Sequence, residues 1–385
     1  MAAGIITMFH NSSNYGGILQ AYALTKVLIN HGIEAEQIRY DNFSAFSFSR
    51  RLKNKVRKYE AVIKHPEQIK YQRKIRKRVR AVVKASNQLV PHSRKVFKEK
   101  NIQKCLTDYS IFITGSDQVW HGEWPAYFLP FVPDGTKKIA YAVSTGKSYL
   151  SLSDMEKIKE YVKEYTAISV READTAAILQ KAMPEKIIEF VLDPSLLLDL
   201  EDWDAVTSER KVDAPYAFCY FLGSDERPRK VAEKYAEKYK LVLVTIPHMQ
   251  GKIEKNDIDF GDIQVYDATP QDFLAYIKYA ELIFTDSFHA TIFSSVFRKQ
   301  YVVFGRTEHK EMNNRIETLT DIFHTAHRFI DNAGGFSIDY IEKMKKIDYS
   351  NDGSSSGGIT VSYKTESFER MKEHSIDFLI GSINK

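Results

Sequence analysis

His289 is the residue whose setting in the sequence points most directly to chemistry. It follows an apolar, β-branched run, Leu282–Thr285, with Asp286 and Ser287 between them, and it precedes an apolar helical pattern and a second strand-like run, Tyr301–Phe304. Ligands of open α/β sheets bind at the carboxyl ends of strands, where the next helix offers N–H groups to an anion. A histidine there could transfer protons to or from a bound phosphate or carboxylate. The structural alternative is a helix start capped by Asp286 or Ser287, with His289 in its first turn.

Two charged residues have similar settings in the amino-terminal half of the chain. A strand-like run, Asp108–Thr114, leads into a polar loop that contains Asp117, and another, Ala167–Val170, leads into Arg171. Asp117 could act as a general base or bind sugar hydroxyls, and Arg171 could clamp a carboxylate or phosphate with two N–H groups. The structural alternatives are an N-cap or Asx-turn for Asp117 and an ion pair with Glu172 or a neighbouring acid for Arg171.

A turn that ends in two glycines follows the first strand-like run of the chain. Gly4–Phe9 is apolar, His10–Gly17 is polar, and Ile18–Asn30 has helical periodicity. Glycines allow a ligand to approach the backbone closely and leave the N–H groups of the next helix accessible to an anion. The complete dinucleotide-binding spacing is absent, so an ordinary tight turn is the simpler explanation of Gly16 and Gly17.

The alternation of strands and helices predicts an α/β fold of two Rossmann-like domains that face each other across a cleft. The first predicted domain spans 1–206 and contains an insert of basic helical segments at about 43–100. A polar segment, Thr207–Asp213, links it to a second domain at 214–349. Residues 350–385 then form a Gly/Ser-rich linker and a closing helix.

Composition narrows the classes of protein that the chain can belong to. The 385 residues, 43% apolar and 27% charged, suit two globular domains. No apolar run reaches the ~18 residues of a membrane span, and the first residues lack the features of a signal peptide. Cys105 and Cys219 lie far apart and predict neither a disulfide framework nor a zinc site. We expect a cytoplasmic protein.

The segment Arg50–Lys84 concentrates positive charge. It contains fifteen Lys and Arg residues against Glu60 and Glu67, a local charge of +13 in a chain whose net charge is +5. The segment is either a solvated helical face or a contact with an anionic membrane, which would hold the protein at the inner face of that membrane. A nucleic-acid contact is disfavoured, because few aromatic residues are interleaved and no nucleic-acid-binding motif accompanies the segment.

Five motifs, in order between Thr7 and about Leu319, resemble the signature of the polysaccharide pyruvyl transferase family. They are Asn14-Tyr15-Gly16-Gly17-Ile18-Leu19-Gln20-Ala21-Tyr22-Ala23-Leu24, Gly115-Ser116-Asp117-Gln118-Val119-Trp120, Ser169-Val170-Arg171-Glu172, Asp193-Pro194 and Ser287-Phe288-His289-Ala290. Each motif alone has little specificity, whereas five in the family's order are specific.

The resemblance implies a glycosyltransferase-B-like fold and an enzyme of surface-polysaccharide biosynthesis. Such an enzyme transfers a pyruvyl group from phosphoenolpyruvate to two hydroxyls of a saccharide, often lipid-linked, and forms a ketal. Neither a cofactor nor a metal is implied. His289 would be the active-site histidine, Arg171 an anion-binding arginine and Asp117 the acid of the first domain. The residues expected to bind substrate are Asn14, Tyr15, Gly16, Gly17, Gln20, Gly115, Ser116, Gln118, Ser287, Phe288 and Arg315.

One departure from the family pattern bears on the donor. Some branches place an arginine two residues before the histidine, where this chain has Ser287, and Arg306 or Arg315 could replace that charge. Two other functions remain open. One is a sugar-nucleotide-dependent glycosyltransferase of the same fold, with Glu308 and Glu311 in the region of a ribose-binding acid. The other is a non-catalytic module whose basic insert binds an anionic polymer.

Overall fold

The computed structural model describes residues 2–45, 69–121, 124–147, 149–249, 252–308, 313–331, 338–344, 346–347, 349 and 366–384. The chain divides into two units, one formed by Met1–Leu198 with Glu373–Lys385 and the other by Asp199–Lys372. Each unit is built around a parallel β sheet with helices in the connections. The predicted α/β class with two Rossmann-like domains is therefore confirmed.

The first unit contains one parallel sheet, whose strands in the described residues are β1 (Ala2–Ile6), β2 (Glu34–Asp41), β3 (His92–Lys98), β4 (Ile111–Thr114), β5 (Lys137–Val143), β6 (Ala167–Val170) and β7 (Ile188–Phe190). Their order across the sheet is β3-β2-β1-β4-β5-β6-β7. The order changes direction between β1 and β4, so the connections leave these two strands on opposite sides. A crevice therefore opens at their carboxyl ends, the usual location of a ligand in such sheets.

The helices of this unit start where local chemistry favours them. Those in the described residues, apart from the closing helix of the chain, are α1 (Tyr15–Asn30), α2 (Ile69–Leu89), α3 (Leu152–Tyr161) and α4 (Ala173–Ala182). In α1 the side chain of Asn14 caps the first turn by accepting the Gly17 N–H. That cap starts the helix at Tyr15, before the predicted start at Ile18. The apolar periodicity missed the first turn, because Gly16 and Gly17 occupy it.

The predicted basic insert differs from the structure at its carboxyl end. Helix α2 ends at Leu89, and the next residues form β3, the edge strand beside β2, instead of continuing as helix to about 100. Of this strand only Ser93 and Phe97 are buried. An edge strand can expose polar, basic side chains to water, so this strand lacks the apolar pattern from which the other strands were predicted. Residues 46–68 of the predicted insert lie outside the described residues.

The second unit contains a second parallel sheet. Its strands in the described residues are β8 (Tyr216–Tyr220), β9 (Val242–Thr245), β10 (Ile263–Gln264), β11 (Leu282–Thr285), β12 (Tyr301–Phe304) and β13 (Phe329–Ile330). The order β10-β9-β8-β11-β12-β13 is that of a Rossmann sheet, with its change of direction between β8 and β11. The helices described in this unit are α5 (Leu200–Asp204), α6 (Glu226–Tyr239), α7 (Pro270–Lys278), α8 (Phe288–Val296), α9 (Asn314–Ile322) and α10 (Ile338–Lys343).

The boundaries of the units differ from those predicted at 206 and 350. The second unit begins at Asp199, because Trp203 of α5 packs its ring against Phe293 of α8, with centroids 4.8 Å apart. The closing helix, α11 (Glu366–Asn384), returns its last part to the first unit, where the Ser375 hydroxyl accepts the Leu192 N–H. The predicted Ser350–Gly358 linker lies outside the described residues. Over the part of the chain described, none of the helices combines the length and the apolar character needed to cross a membrane.

Candidate active site

Arg171, which follows β6 in the first unit, is enclosed by three carboxylates of the chain itself. Its Nη1 donates to Asp193 Oδ2 at 2.7 Å, its Nη2 donates to Asp117 Oδ1 at 3.0 Å, and its Nε lies 3.5 Å from Glu172 Oε1. The guanidinium side chain is only 1% exposed. The ion pair considered from the sequence is therefore what the structure contains, and it has three acids instead of one.

The electrostatics of this Arg171 cluster disfavour an anionic ligand. Burial opposes the charge of Arg171, but the carboxylates of Asp117, Asp193 and Glu172 outweigh it and raise the pKa of the guanidinium. Formally, one cation meets three anions. A phosphate or carboxylate would be repelled here, whereas the acids are well suited to accept hydrogen bonds from sugar hydroxyls. In the structure Arg171 therefore holds acidic side chains in place, whereas the resemblance implies that it binds an anion.

Asp117 lies beside the amino terminus of α1. Its backbone has a φ of +73°, a left-handed conformation that aspartate tolerates better than most residues, and its carbonyl accepts the Ser144 N–H at 3.0 Å. A Cβ placed on Gly17 would lie 3.2 Å from Asp117 Oδ2, so the glycine allows the carboxylate to approach the helix start closely. The partial positive charge of a helix amino terminus favours a carboxylate at this point. The structure therefore brings together three of the predicted site residues, Asn14, Gly17 and Asp117.

Gln20 connects three elements beneath these residues. Its Oε1 accepts the Ser116 N–H at 3.2 Å, and its Nε2 donates to Thr7 Oγ1 and to the Gly17 carbonyl. Thr7, just after β1, donates in turn to the Ser116 carbonyl at 2.8 Å. Gln20 is fully buried, so its contribution is to fix the loop after β4 against α1.

The other predicted residues of the first unit shape this loop and the turn before α1. Gly115 has a φ of +121°, and a Cβ there would lie 2.1 Å from the Tyr141 carbonyl oxygen, so only glycine fits. Gly16 is buried in the first turn of α1. Gln118 is half-buried and lies against Gly146, whose own Cβ would be 3.0 Å from the Gln118 amide carbon.

Two residues of this region were not predicted as site residues. Ser144 follows β5, and its hydroxyl donates to Glu172 Oε1 at 2.6 Å and accepts the Gly146 N–H. Arg78, on α2, donates to the Tyr15 hydroxyl at 2.9 Å and lies over its ring. The signal for Ser144 was its position directly after a strand. Arg78 carried no signal, because it belongs to a long run of similar basic residues.

We expect Ser144→Ala to lower the free energy of unfolding by about 2 kcal/mol, because it removes a buried hydrogen bond to a charged group. Urea denaturation followed by circular dichroism measures this change. Ser153→Ala, at an exposed serine of the same unit, is the matched control and should change stability by less than ~0.5 kcal/mol. Equal stability of the two variants would show that the Ser144 hydroxyl does not support Glu172.

In the second unit, Asp286 joins the ends of two strands at the point where the sheet order changes direction. Its carboxylate, just after β11, accepts the N–H groups of Leu222 and Gly223, both at 2.7 Å, in the loop that follows β8. Arg306, after β12, donates from Nε and Nη2 to the Asp286 carbonyl at 3.2 and 3.1 Å. The turn that leads to His289 is therefore held from two neighbouring strands.

His289 lies in the first turn of α8, beside the ring of Phe288. Ser287 caps this helix by accepting the Ala290 N–H at 3.4 Å, as one of the two predicted caps. The rings of Phe288 and His289 are 5.2 Å apart, and the guanidinium carbon of Arg315 lies 5.6 Å from the centre of the Phe288 ring. His289 is 8% exposed. The structure thus places Ser287, Phe288 and His289 in succession at the helix start, with Arg315 over the Phe288 ring; that these residues bind substrate stays a prediction.

The two groups of residues have complementary chemistry. The Arg171 cluster offers carboxylates that can accept hydrogen bonds from hydroxyls and remove a proton. The second-unit group offers an imidazole, the N–H groups of a helix start and nearby guanidinium groups, which suit an anion and proton transfer.

Solved structures show where else this fold occurs. A UDP-GlcNAc 2-epimerase from Methanocaldococcus jannaschii matches with a TM-score of 0.52 and 12% identity, over 89% of this chain and 92% of that one. The Neisseria meningitidis UDP-GlcNAc 2-epimerase bound to UDP-GlcNAc matches with a TM-score of 0.50 and 12% identity, over 99% and 100%. The S. aureus MnaA–UDP co-structure matches with a TM-score of 0.51 and 11% identity, over 100% and 98%. At these identities the likeness shows the fold alone, which is of the glycosyltransferase-B type.

Sequence comparison identifies the family more specifically than the fold does. No curated protein sequence matches the chain. The family profile described as polysaccharide pyruvyl transferase matches residues 14–308, a span that includes all five motifs and both groups of site residues except Arg315. The chain therefore belongs to the polysaccharide pyruvyl transferase family.

Proposed function

We propose that the protein transfers a pyruvyl group from phosphoenolpyruvate to two hydroxyls of a saccharide during the synthesis of a surface polysaccharide. Membership of the family supports a transferase that acts on saccharides. The observation that carries the choice of donor is the position of His289 in the first turn of α8, next to Phe288, whose ring lies under the Arg315 guanidinium. Phosphoenolpyruvate carries both a phosphate and a carboxylate, so its site needs fixed positive charge beside a proton donor.

The reaction balances without a cofactor. The methylene carbon of phosphoenolpyruvate gains a proton and becomes a methyl group, while the adjacent carbon bonds to two sugar oxygens and its bond to the phosphate oxygen breaks. The two sugar hydroxyls together lose two protons: one balances the proton added to carbon, and the other leaves with phosphate. His289 is assigned the proton transfer to the donor, because a histidine can both give and accept a proton near neutral pH.

Arg315 is assigned the cationic contact that Ser287 cannot provide. Ser287 is occupied as the cap of α8, and a neutral hydroxyl cannot balance an anion. Arg306 is occupied with the Asp286 carbonyl and lies 3.7 Å from the Asp286 carboxylate, which offsets its charge. Arg315 instead extends over the face of Phe288, the residue next to His289. The cation–π contact holds the guanidinium over that ring.

The Arg171 cluster is assigned the acceptor. Asp117 would accept hydrogen bonds from the sugar and remove a hydroxyl proton, and Arg171 would hold Asp117 in position through the 3.0 Å contact. Arg171 is therefore a positioning residue in this proposal. The excess of carboxylates also explains why this group would take a neutral, hydroxyl-rich ligand and leave the anionic donor to the second unit.

A binding experiment tests the donor. Phosphoenolpyruvate at 100 times its dissociation constant should stabilise the folded protein by ~2.7 kcal/mol in thermal unfolding, and Arg315→Gln should remove that effect. Arg370→Gln is the control, because the side chain of this arginine is 69% exposed and pairs with Glu366 on its own helix. UDP-GlcNAc, the ligand in one epimerase structure of the same fold, serves as the competing donor. Stabilisation by UDP-GlcNAc alone would favour a nucleotide-sugar enzyme, and no response to phosphoenolpyruvate would contradict the proposal.

A further inference from the structure

Helix α2 presents a continuous stripe of positive charge to solvent. It contains no acidic residue, and seven of its basic side chains are exposed: Lys70, Arg73, Lys74, Arg76, Lys77, Arg80 and Lys84. Spacings of three and four residues place most of these on one face of a helix. At 1.5 Å per residue, the stripe from Lys70 to Lys84 is about 21 Å long. A row of this length is suited to an extended anionic surface more than to a single small anion.

The opposite face of α2 fixes this stripe on the first unit, next to the start of α1. Tyr71, Ile75 and Val82 are buried, and so is Arg78. The Arg78 Nε donates to the Tyr15 hydroxyl at 2.9 Å, and its guanidinium carbon lies 5.2 Å from the centre of the Tyr15 ring. Tyr15 is the first residue of α1, directly after the Asn14 cap. The charged face and the turn before α1 are therefore parts of one rigid arrangement.

The rest of the chain has a net charge opposite in sign to that of the stripe. The segment Arg50–Lys84 has a net charge of +13, while the whole chain has +5, so the remainder has a net charge of −8. A molecule with this asymmetry is attracted to an anionic surface by its basic segment and repelled elsewhere. The attraction therefore orients the protein as well as concentrating it at the surface.

The side chains around the stripe favour a lipid bilayer over a nucleic acid. The aromatic residue of α2, Tyr71, is buried, so the helix offers no exposed ring on which a base could stack. Its first residue, Ile69, is 56% exposed and provides an apolar side chain at the end of the basic stripe. Basic residues flanked by an exposed apolar residue are typical of helices that lie at a membrane interface.

We propose that the exposed basic face of α2 docks the protein on a lipid bilayer with anionic headgroups. The Arg78–Tyr15 contact then keeps the turn before α1, and the Arg171 cluster behind it, at a fixed distance from that surface. A saccharide acceptor attached to a membrane lipid would be delivered there. This last step depends on the proposed function, whereas docking itself does not, because it needs no substrate.

Vesicle sedimentation without substrate tests the docking. The intact protein should sediment with vesicles of phosphatidylcholine and phosphatidylglycerol, should remain in solution with phosphatidylcholine alone, and should be released by high salt. Replacing Arg73, Arg76, Lys77 and Arg80 together by glutamine should weaken the partitioning at least ~100-fold. All four side chains are exposed, so the variant should keep the circular dichroism spectrum of the parent protein.

A control with the same change in net charge makes the result specific to α2. It replaces four exposed lysines elsewhere, Lys159, Lys163, Lys181 and Lys234, by glutamine and should partition like the parent protein. Equal losses in the two variants, or equal binding to neutral and anionic vesicles, would overturn the proposal. Binding of a single-stranded oligonucleotide or of heparin through α2, with no binding to either vesicle, would also overturn it and would identify a soluble polyanion as the partner.

Discussion

Arg171→Ala is expected to lower the free energy of unfolding by about 3–5 kcal/mol and to reduce turnover of the folded protein at least ~100-fold. The stability loss has a clear cause. The substitution removes the cation that binds Asp117 and Asp193 and lies 3.5 Å from Glu172, and leaves three carboxylates in a region where Arg171 itself was 1% exposed. The loss of turnover follows because Asp117 loses the contact that fixes its carboxylate. Urea denaturation measures the first effect, and phosphate release from phosphoenolpyruvate with a saccharide acceptor measures the second.

Two further variants separate charge from geometry in the Arg171 prediction. Arg171→Lys keeps the charge but cannot contact two carboxylates with a planar fork, so it should recover part of the stability and little of the turnover. Lys230→Ala breaks an exposed ion pair with Glu226 and should cost less than ~1 kcal/mol. A loss below ~1 kcal/mol in Arg171→Ala would show that the cluster tolerates its acids without Arg171.

Apolar strands were predicted from the sequence with the least error. The bounds of β6, β11 and β12 agree with the prediction, because each is a short run of buried residues between polar ones. The apolar pattern does not predict a strand in which most side chains are exposed. Strand β3 exposes most of its side chains at a sheet edge, so its composition resembles that of the basic helix before it. Helix propensity also fails to predict the start of α1, because Gly16 and Gly17 lie inside the helix. Only the Asn14 cap explains its first turn.

In the candidate site, too, contacts between residues close in sequence could be predicted, whereas contacts between residues far apart in sequence could not. Ser287 and His289 were predicted as a cap and a first-turn residue, because both roles follow from neighbours within one turn. The environment of Arg171 could not be predicted in this way. Its partners Asp117 and Asp193 are 54 and 22 residues away, and only the order of the strands in the sheet brings them together. The sequence therefore predicted the position of Arg171 at the end of a strand, but not the three acidic side chains around it.

The three acids also change what a sequence motif implies about mechanism. A sequence motif shows only that an arginine is present, whereas the structure shows which charged groups surround it. Arg171 meets three carboxylates, which would repel an anionic ligand. The second-unit group offers the helix start at His289, with Arg315 over the ring of the adjacent Phe288, and is therefore the better candidate for donor binding. We therefore assign the donor to the second unit and the saccharide to the first.

His289→Gln is expected to reduce turnover at least ~100-fold while the protein remains folded and still binds phosphoenolpyruvate. Glutamine fills a similar volume in this buried first turn of α8 but cannot give or accept a proton near neutral pH. The Ser287 cap and the Arg315–Phe288 contact do not involve the imidazole, so donor binding should persist. His289→Ala should show the same loss of turnover, with an added stability cost from the cavity it leaves.

The measurements for His289 separate catalysis from binding and from folding. Phosphate release with a saccharide acceptor reports turnover, and thermal stabilisation by phosphoenolpyruvate reports binding in the same preparation. His324→Asn is the matched control: it removes an exposed histidine of the same unit at a φ of +51°, a conformation that asparagine tolerates. Its turnover should equal that of the parent protein. Normal turnover in folded His289→Gln would exclude this histidine from the proton transfer, whereas loss of both binding and turnover would make it a residue that binds the donor.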